Sequence, residues 1–209
     1  MIDLVLKKSK ERSLLRRHPW VYDTAVQKVV LDSKKTAPAS GETVRVVSFD
    51  GRFLAWAAYS PESTIRARCW SFKEEEVIDA SWFERKLRHA VEARACLRDR
   101  TSAVRLVFGE ADGLPGLIVD QYADCLVTQF QSAGVEAHRE LIADLLMGIT
   151  GAKTIFDRSD AATRQREGLS IRSELLRGEE PPAAIEVVED GVRYGVDVRV
   201  GHKLSLIHI

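Results

Sequence analysis

The chain is 209 residues long, and its 31 Lys+Arg balance 31 Asp+Glu to a formal net charge of zero. At 45% hydrophobic and 30% charged residues it has a soluble globular composition, which excludes disorder over the whole length. No apolar run approaches the roughly 18 residues of a membrane span, and the lysines follow the short apolar start, the reverse of a secretory signal.

Residues 1–73 read as β-rich. Asp3–Lys7, Ala25–Leu31, Glu42–Ser48, Phe53–Tyr59 and Ile65–Phe72 alternate, or concentrate Val, Ile and aromatic residues, as strands do. Turn signals at Lys34–Gly41, Asp50-Gly51 and Ser60-Pro61 separate them, and Asp50-Gly51 is a hairpin signal. With one short helix near Lys10–Arg17, these strands predict a small barrel.

Glu74-Glu75-Glu76 reads as a linker. Ser81 and Glu84 form a capping box ahead of a helical pattern, Phe83, Leu87, Ala90 and Leu97, that runs to about Arg98. Val104–Phe108, Leu117–Asp120, Cys125–Gln131 and Lys153–Phe156 read as strands. Gly134–Gly148 reads as a helix with Leu141, Leu145 and Leu146 on one face, and Ala161–Glu167 as a further helical candidate. Residues 77–180 therefore predict a central α+β domain. Glu179-Glu180-Pro181-Pro182 reads as a second linker. Within residues 184–203, Ile185–Glu189 and Val192–Val198 read as a hairpin across Asp190-Gly191, marginal unless it packs on something.

The neutral sum hides a segregation of charge. Lys7, Lys8, Lys10, Arg12, Arg16 and Arg17 stand against Glu11 alone, a local +5. Glu174, Glu179, Glu180, Glu186, Glu189 and Asp190 stand against Arg177 alone, a local −5. A local +5 can attract phosphate on a neutral molecule; the alternative is a solvated face.

Arg16-Arg17-His18-Pro19-Trp20 is the densest candidate binding cluster. Guanidinium forks suit phosphate, and His18 and Trp20 could stack or hydrogen-bond with bases, although Trp20 reads more readily as barrel core. Arg66 and Arg68 alternate with Ile65, Ala67 and Cys69, which puts both guanidiniums on one sheet face, as a phosphate track or as ordinary exposed charge. Glu110 and Asp112 sit in Gly109–Gly116, whose glycine spacing matches no nucleotide loop and reads as a tight structural turn. Asp157-Arg158-Ser159-Asp160 reads as a helix-capping loop with internal ion pairs. Cys69, Cys96 and Cys125 form no C-x-x-C pair and read as core thiols of a reduced, cytoplasmic protein. The histidines have no metal spacing, and no hydrolase or catalytic-cysteine signature is present, so neither a metal site nor a catalytic residue is expected.

Taken in order, four segments resemble one family. They are Ser13–Val21 (S-L-L-R-R-H-P-W-V), Ala58–Pro61 with Ile65–Arg68, Gly109–Asp120 (G-E-A-D-G-L-P-G-L-I-V-D) and Asp157–Asp160. Over about residues 1–203 the chain resembles the bacterial class I S-adenosylmethionine-dependent 23S rRNA (cytosine-C5-)-methyltransferases with an N-terminal PUA domain. The resemblance implies a PUA-like RNA-binding barrel, a central α+β domain that helps hold RNA, and a terminal β-hairpin leading into a Rossmann-like methyltransferase domain. In the family that last domain carries the cofactor loop, an acid-proline-proline motif and a cysteine whose thiolate attacks cytosine C6; this sequence has none of them. After Gly201-His202-Lys203 it departs from the family into Leu204–Ile209.

The expected fold class is therefore α+β with the Rossmann-like methyltransferase domain missing, and residues 204–209 are expected to be a non-family tail. The expected function is the RNA-recognition portion of an rRNA 5-methylcytosine methyltransferase, with S-adenosylmethionine used by the intact protein, none bound here and no methyl transfer by this chain alone. Arg16, Arg17, Arg66 and Arg68 are the candidates for RNA backbone contacts, and His18 and Trp20 for bases or sugars. Large-subunit rRNA is the expected partner, without membrane or metal, and a homodimer is left open. The rival readings are a stand-alone non-catalytic PUA-type RNA-binding protein and a protein-interaction platform.

Overall fold

The structure is a computed structural model that describes residues 1–31, 37–160 and 162–201. The tail at Leu204–Ile209, part of the Lys34–Gly41 turn and the first residue of the Ala161–Glu167 segment lie outside them.

The first unit is a six-stranded sheet. Its strands are β1 (Asp3–Leu6), β2 (Trp20–Tyr22), β3 (Val26–Val30), β4 (Thr43–Val47), β5 (Phe53–Tyr59) and β6 (Ile65–Ser71), with the one-turn helix α1 (Arg12–Leu15) after β1. They lie in the order β2-β6-β5-β4-β1-β3, antiparallel except for β1 beside β4. Asp50-Gly51 makes the β4–β5 turn, with Gly51 at φ 85°, where a side chain would be strained. The sequence reading missed β2, which is only three residues long and enclosed by Pro19 and the 3₁₀ turn Asp23–Ala25.

The second unit begins with α2 (Ala80–Ala93) and continues with β7 (Ala103–Phe108), β8 (Leu117–Tyr122), β9 (Cys125–Phe130), α3 (Ala133–Ala137), α4 (Arg139–Thr150), β10 (Thr154–Asp157) and β11 (Glu174–Gly178). Its sheet runs β11-β10-β9-β8-β7 and is mixed, since β9 and β10 are parallel and the other pairs antiparallel. Helices α2 and α4 cover one face through Phe83, Leu87, Ile142 and Leu146, all fully buried. The hairpin β12 (Ile185–Glu189) and β13 (Val192–Val196) covers part of the other face, placing Ile185 and Val187 against Tyr122, Cys125 and Val127. Ser102 ties it down, its amide donating to Val188 O and its hydroxyl accepting from Val188 N. The hairpin therefore has a partner in this chain, and β9, covered on both faces, is buried along its whole length.

Local details depart from the sequence reading for identifiable reasons. The helix cap is Asp79, not Ser81: its carboxylate accepts from Trp82 N at 2.9 Å, and the Ser81 hydroxyl donates back to it. Helix α2 ends before Leu97, which falls in a 3₁₀ turn. The expected single helix over Gly134–Gly148 is broken at His138, whose ring Nδ1 lies 2.9 Å from Gly134 O and whose ring packs 4.6 Å from Phe83.

The two units share side chains. On β6, Ala67 and Cys69 enter the first core while Trp70, on the opposite face, enters the second. Trp70 meets Trp82 and Phe83 edge-on at 5.7 and 5.4 Å. Gly134 is a point of close approach between them, because a Cβ there would lie 2.4 Å from Ala58 Cβ and 2.5 Å from Trp70 Cζ2.

Cys96 corrects the expectation of three core thiols, since it is exposed while Cys69 and Cys125 are buried. Burial pushes the Cys69 thiol up to about 12. Burial, and then the Asp124 carboxylate, push Cys125 up to about 11. Titration of the native chain with a thiol reagent at pH 8 is expected to show one fast group, removed by Cys96→Ser, with the others reacting only on unfolding. Two fast groups would contradict this packing.

Candidate nucleic-acid interface

The N-terminal cluster is built around one apolar anchor. Leu14 of α1 is buried, while Arg12, Arg16, Arg17 and His18 are exposed around it. The helix closes when Arg16 N and His18 N both donate to Ser13 O and Arg17 N to Leu14 O. Arg17 sits at φ 60°, a left-handed conformation that reverses the chain and that a non-glycine residue adopts only at a cost. The chain then enters edge strand β2, with Trp20 N donating to His18 Nδ1 at 3.2 Å. The Arg17 guanidinium lies 6.0 Å from the Phe72 ring centroid.

This cluster gathers several cations that lack counter-charge within one short run of chain. Among the described residues, Lys8, Lys10, Arg12, Arg16 and Arg17 hold no carboxylate, and Lys7 is bonded only to the Thr24 carbonyl. Many other arginines are paired with acids: Arg45 with Asp3, Arg94 with Asp112, Arg105 with Asp120, and Arg139 with Asp157 and Glu174. The acidic stretch is largely neutralised in the same way, Glu174 by Arg139 and Arg172, Glu180 by Arg199, Glu186 by Arg193 and Asp190 by Arg100. The two charge blocks are thus not equivalent, and only the basic one is left open.

Arg66 and Arg68 lie on one face of β6 as the alternation requires, but that is the face that also carries Trp70 into the second unit. Arg68 bridges Glu110 at 3.4 Å and Glu167 at 2.8 Å, with its side chain 13% exposed. Arg66 donates to the carbonyls of Ser60 and Pro61 and lies 3.7 Å from Asp23. An open phosphate track on this face is therefore corrected: Arg68 is turned inward to the junction and Arg66 is tied to its own loop. Trp20 is half-buried and held on the same junction, its Nε1 donating to Glu110 Oε1 at 2.7 Å while the Arg68 guanidinium lies 5.5 Å from its ring.

The sequence reading missed Glu167, the centre of this junction. It is 3% exposed and accepts from Ser60 Oγ and Ser63 Oγ at 2.6 Å each, and from Arg68 Nη2. Burial alone would push its carboxyl up, but the two hydroxyls and the guanidinium outweigh burial and hold it below the usual carboxylate range. Nothing in a lone glutamate of a polar loop marks this role. The Gly109–Gly116 turn is structural as expected, with Asp112 held by Arg94 and by Phe108 N. Asp157-Arg158-Ser159-Asp160 contains the expected internal ion pair, Arg158 to Asp160 at 3.3 Å. Among the described residues no group of His, Cys, Asp or Glu is placed to hold a metal, and no helix is long and apolar enough to cross a membrane.

Comparison with known proteins bears on these observations. Residues 4–72 match a PUA-like domain family. Over 204 residues the chain is 44% identical to proteins named ribosomal RNA large subunit methyltransferase I from Yersinia pseudotuberculosis serotype O:1b (strain IP 31758) and Yersinia pestis bv. Antiqua (strain Angola). That match covers 97% of this chain and 50% of each relative, so the chain spans about half the length of the curated relatives it matches. In three dimensions it resembles a chain from Streptococcus mutans assigned as a SAM-dependent methyltransferase, with TM-score 0.75 at 19% identity over 96% of this chain and 50% of that one. A structure of SMU.776, assigned as a methyltransferase and complexed with SAH, gives TM-score 0.76 at 19% identity over 97% and 49%.

The resemblance carried by R-R-H-P-W and G-E-A-D-G-L-P-G thus stands: the chain is a relative of rRNA large subunit methyltransferases and carries a PUA-like domain. The expected fold class, with a methyltransferase fold missing, is corrected. The described chain, mixed five-stranded sheet included, superposes almost entirely on solved methyltransferase chains, so its own fold is one those chains carry. The expectation rested on motifs that are absent from the sequence, whereas fold is set by how the strands present here pair and pack.

Proposed function

We propose that this relative of the rRNA large subunit methyltransferases docks large-subunit rRNA for a methyltransferase that modifies C5 of a cytosine. The observation that carries the reading is the open cationic cluster Lys7–Arg17 on a PUA-like domain whose other arginines are largely spent on carboxylates. Arg16 and Arg17 contact phosphates, and His18 reaches a base or a sugar hydroxyl at the end of the same turn. Residues 1–73 serve as the docking unit, and the unit that follows holds it in place through Glu110 and Glu167.

S-adenosylmethionine is the methyl donor of the whole enzyme in this reading. Two carboxylates near the ends of β9 and β10 do not fit that group. Its ribose and amino acid moieties call for a free carboxylate beside a strand-to-helix turn. Within α3, after β9, Glu136 is taken by Arg164 and Arg172, and at the end of β10 Asp157 is fully buried against Arg139 and Ser159. No step of methyl transfer is derived from these residues.

The test is a titration of a large-subunit rRNA fragment at several salt concentrations. Affinity is expected to fall as salt rises, and Arg16→Ala with Arg17→Ala to lower the slope of log K against log salt by about 1.4, two phosphate contacts at about 0.7 each. A slope unchanged by the double substitution would show that the cluster does not touch RNA.

A further inference from the structure

Glu110 belongs to the G-E-A-D-G-L-P-G turn, yet it reaches across the junction to the edge of the first sheet, and a cleft opens beside it. One cavity of about 340 Å³ lies between Trp20, Thr64, Arg68, Glu110, Gln131 and Arg166. A second, of about 220 Å³, continues it toward the apolar wall formed by Phe108 and Ile118. Both are bordered by Glu110, Gly116 and Gln131, so the two adjoin across these residues. The larger part alone falls in the roughly 300–1,000 Å³ range of small-molecule pockets.

The polar groups in this cleft are unevenly matched. Glu110 Oε1 accepts from Trp20 Nε1 at 2.7 Å and from Arg68 Nη1 at 3.4 Å, whereas its second oxygen has no partner among the described residues. Gln131 Nε2 donates to Gln129 Oε1 at 2.9 Å, which leaves the Gln131 amide oxygen unpaired among those residues. The cleft therefore presents two unpaired acceptors, one of them charged, beside an Arg68 guanidinium already engaged by Glu110 and Glu167. At its rim Arg166 is exposed and holds no carboxylate among the described residues. An acceptor-lined floor repels phosphate and receives N–H donors, while a cation at the rim receives phosphate. Trp20 is fixed before any ligand arrives, by Glu110 and by Arg68, so the wall is pre-organised.

We infer that this cleft holds one unstacked, amino-bearing nucleobase of single-stranded RNA. Its exocyclic amine donates to Glu110 and Gln131, and its phosphate lies on Arg166. The inference rests on the RNA-docking reading and adds a base preference to it. A carboxylate accepts from the N4 amine of cytosine and repels the O4 carbonyl of uracil, which makes the two pyrimidines the sharpest comparison.

The experiment measures binding of fluorescein-labelled oligocytidylate and oligouridylate of equal length to the full chain by anisotropy. Oligocytidylate is expected to bind roughly fivefold more tightly, and Glu110→Gln to remove that preference. Because Glu110 also orients Trp20, Gln131→Leu is the second variant, expected to reduce the preference without touching Trp20. Arg166→Ala is expected to weaken both oligomers by about the same factor and leave their ratio unchanged. Equal binding of the two oligomers by the unaltered chain, or a preference that survives in both Glu110→Gln and Gln131→Leu, overturns the inference while leaving RNA docking intact. Cytidine 5′-monophosphate competing as well as the oligomer overturns the assignment to an RNA strand. Absence of any RNA binding by the unaltered chain overturns the docking reading itself, and this inference with it.

Discussion

Replacing Glu167 with alanine is expected to destabilise the chain by about 3–5 kcal/mol, the cost of leaving a buried charge and its partners unmatched. Arg68, 13% exposed, would keep only Glu110 at 3.4 Å, and the hydroxyls of Ser60 and Ser63, 2% and 4% exposed as residues, would lose their acceptor. At roughly 2–4 °C per kcal/mol for a chain of this size, the melting temperature should fall by about 10 °C. Calorimetry decides it, and a fall under a degree or two would mean that the junction contributes nothing. Acid titration gives an independent readout. The folded carboxyl is held below its ordinary value of 4.5, so its contribution is fully present above that pH and is lost as pH falls through the lower folded value. Glu167→Gln should be the less stable form at neutral pH and should converge with the unaltered chain in acid. A gap that stays constant down to strongly acidic pH would exclude ionisation of Glu167 as the source.

Gly134→Val is expected to produce the second large effect, about 3 kcal/mol or more. The added side chain has no free space, since even a Cβ would lie 2.4 Å from Ala58 and 2.5 Å from Trp70. Neither neighbour yields easily: Ala58 is buried in β5 between β4 and β6, and Trp70 packs edge-on against Trp82 and Phe83. The contact joins α3 of the second unit to the first sheet, so the substitution should separate the two units as well as destabilise. Two calorimetric transitions in place of one, with new proteolytic cleavage near Glu74–Glu76, are the expected signs. A single transition at an unchanged temperature would show that the sheets do not depend on this approach.

Much of this architecture could be read from local chemistry. The Asp50-Gly51 and Asp190-Gly191 turns, the Val-rich strands, and the apolar spacing of Phe83, Leu87 and Ala90 each carry their structural meaning within a few residues. The elements that were missed or misplaced are those whose boundaries depend on distant partners. Strand β2 exists because Arg68, Ala67 and Ile65 supply its ladder. The break at His138 accompanies a ring packed on Phe83, and the cap at Asp79 displaced Ser81 because a carboxylate two residues earlier was positioned to take the Trp82 amide. The candidate site divides in the same way. The cationic run Lys7–Arg17 is a sequence property, whereas its freedom from carboxylates depends on which acids the fold assigns to other arginines.

The sequence by itself determined the two strand-rich units, the hairpin, the basic N-terminal run and the kinship with rRNA methyltransferases carried by its motifs. The tertiary structure decided which charges remain available. Side chains far apart in sequence, Arg68 with Glu110 and Glu167, and Trp20 with Glu110, become neighbours only when β6 turns one face toward the second unit. Ion pairing depends on distances of a few ångströms and on loss of water, and both are set by packing between elements rather than by spacing along the chain.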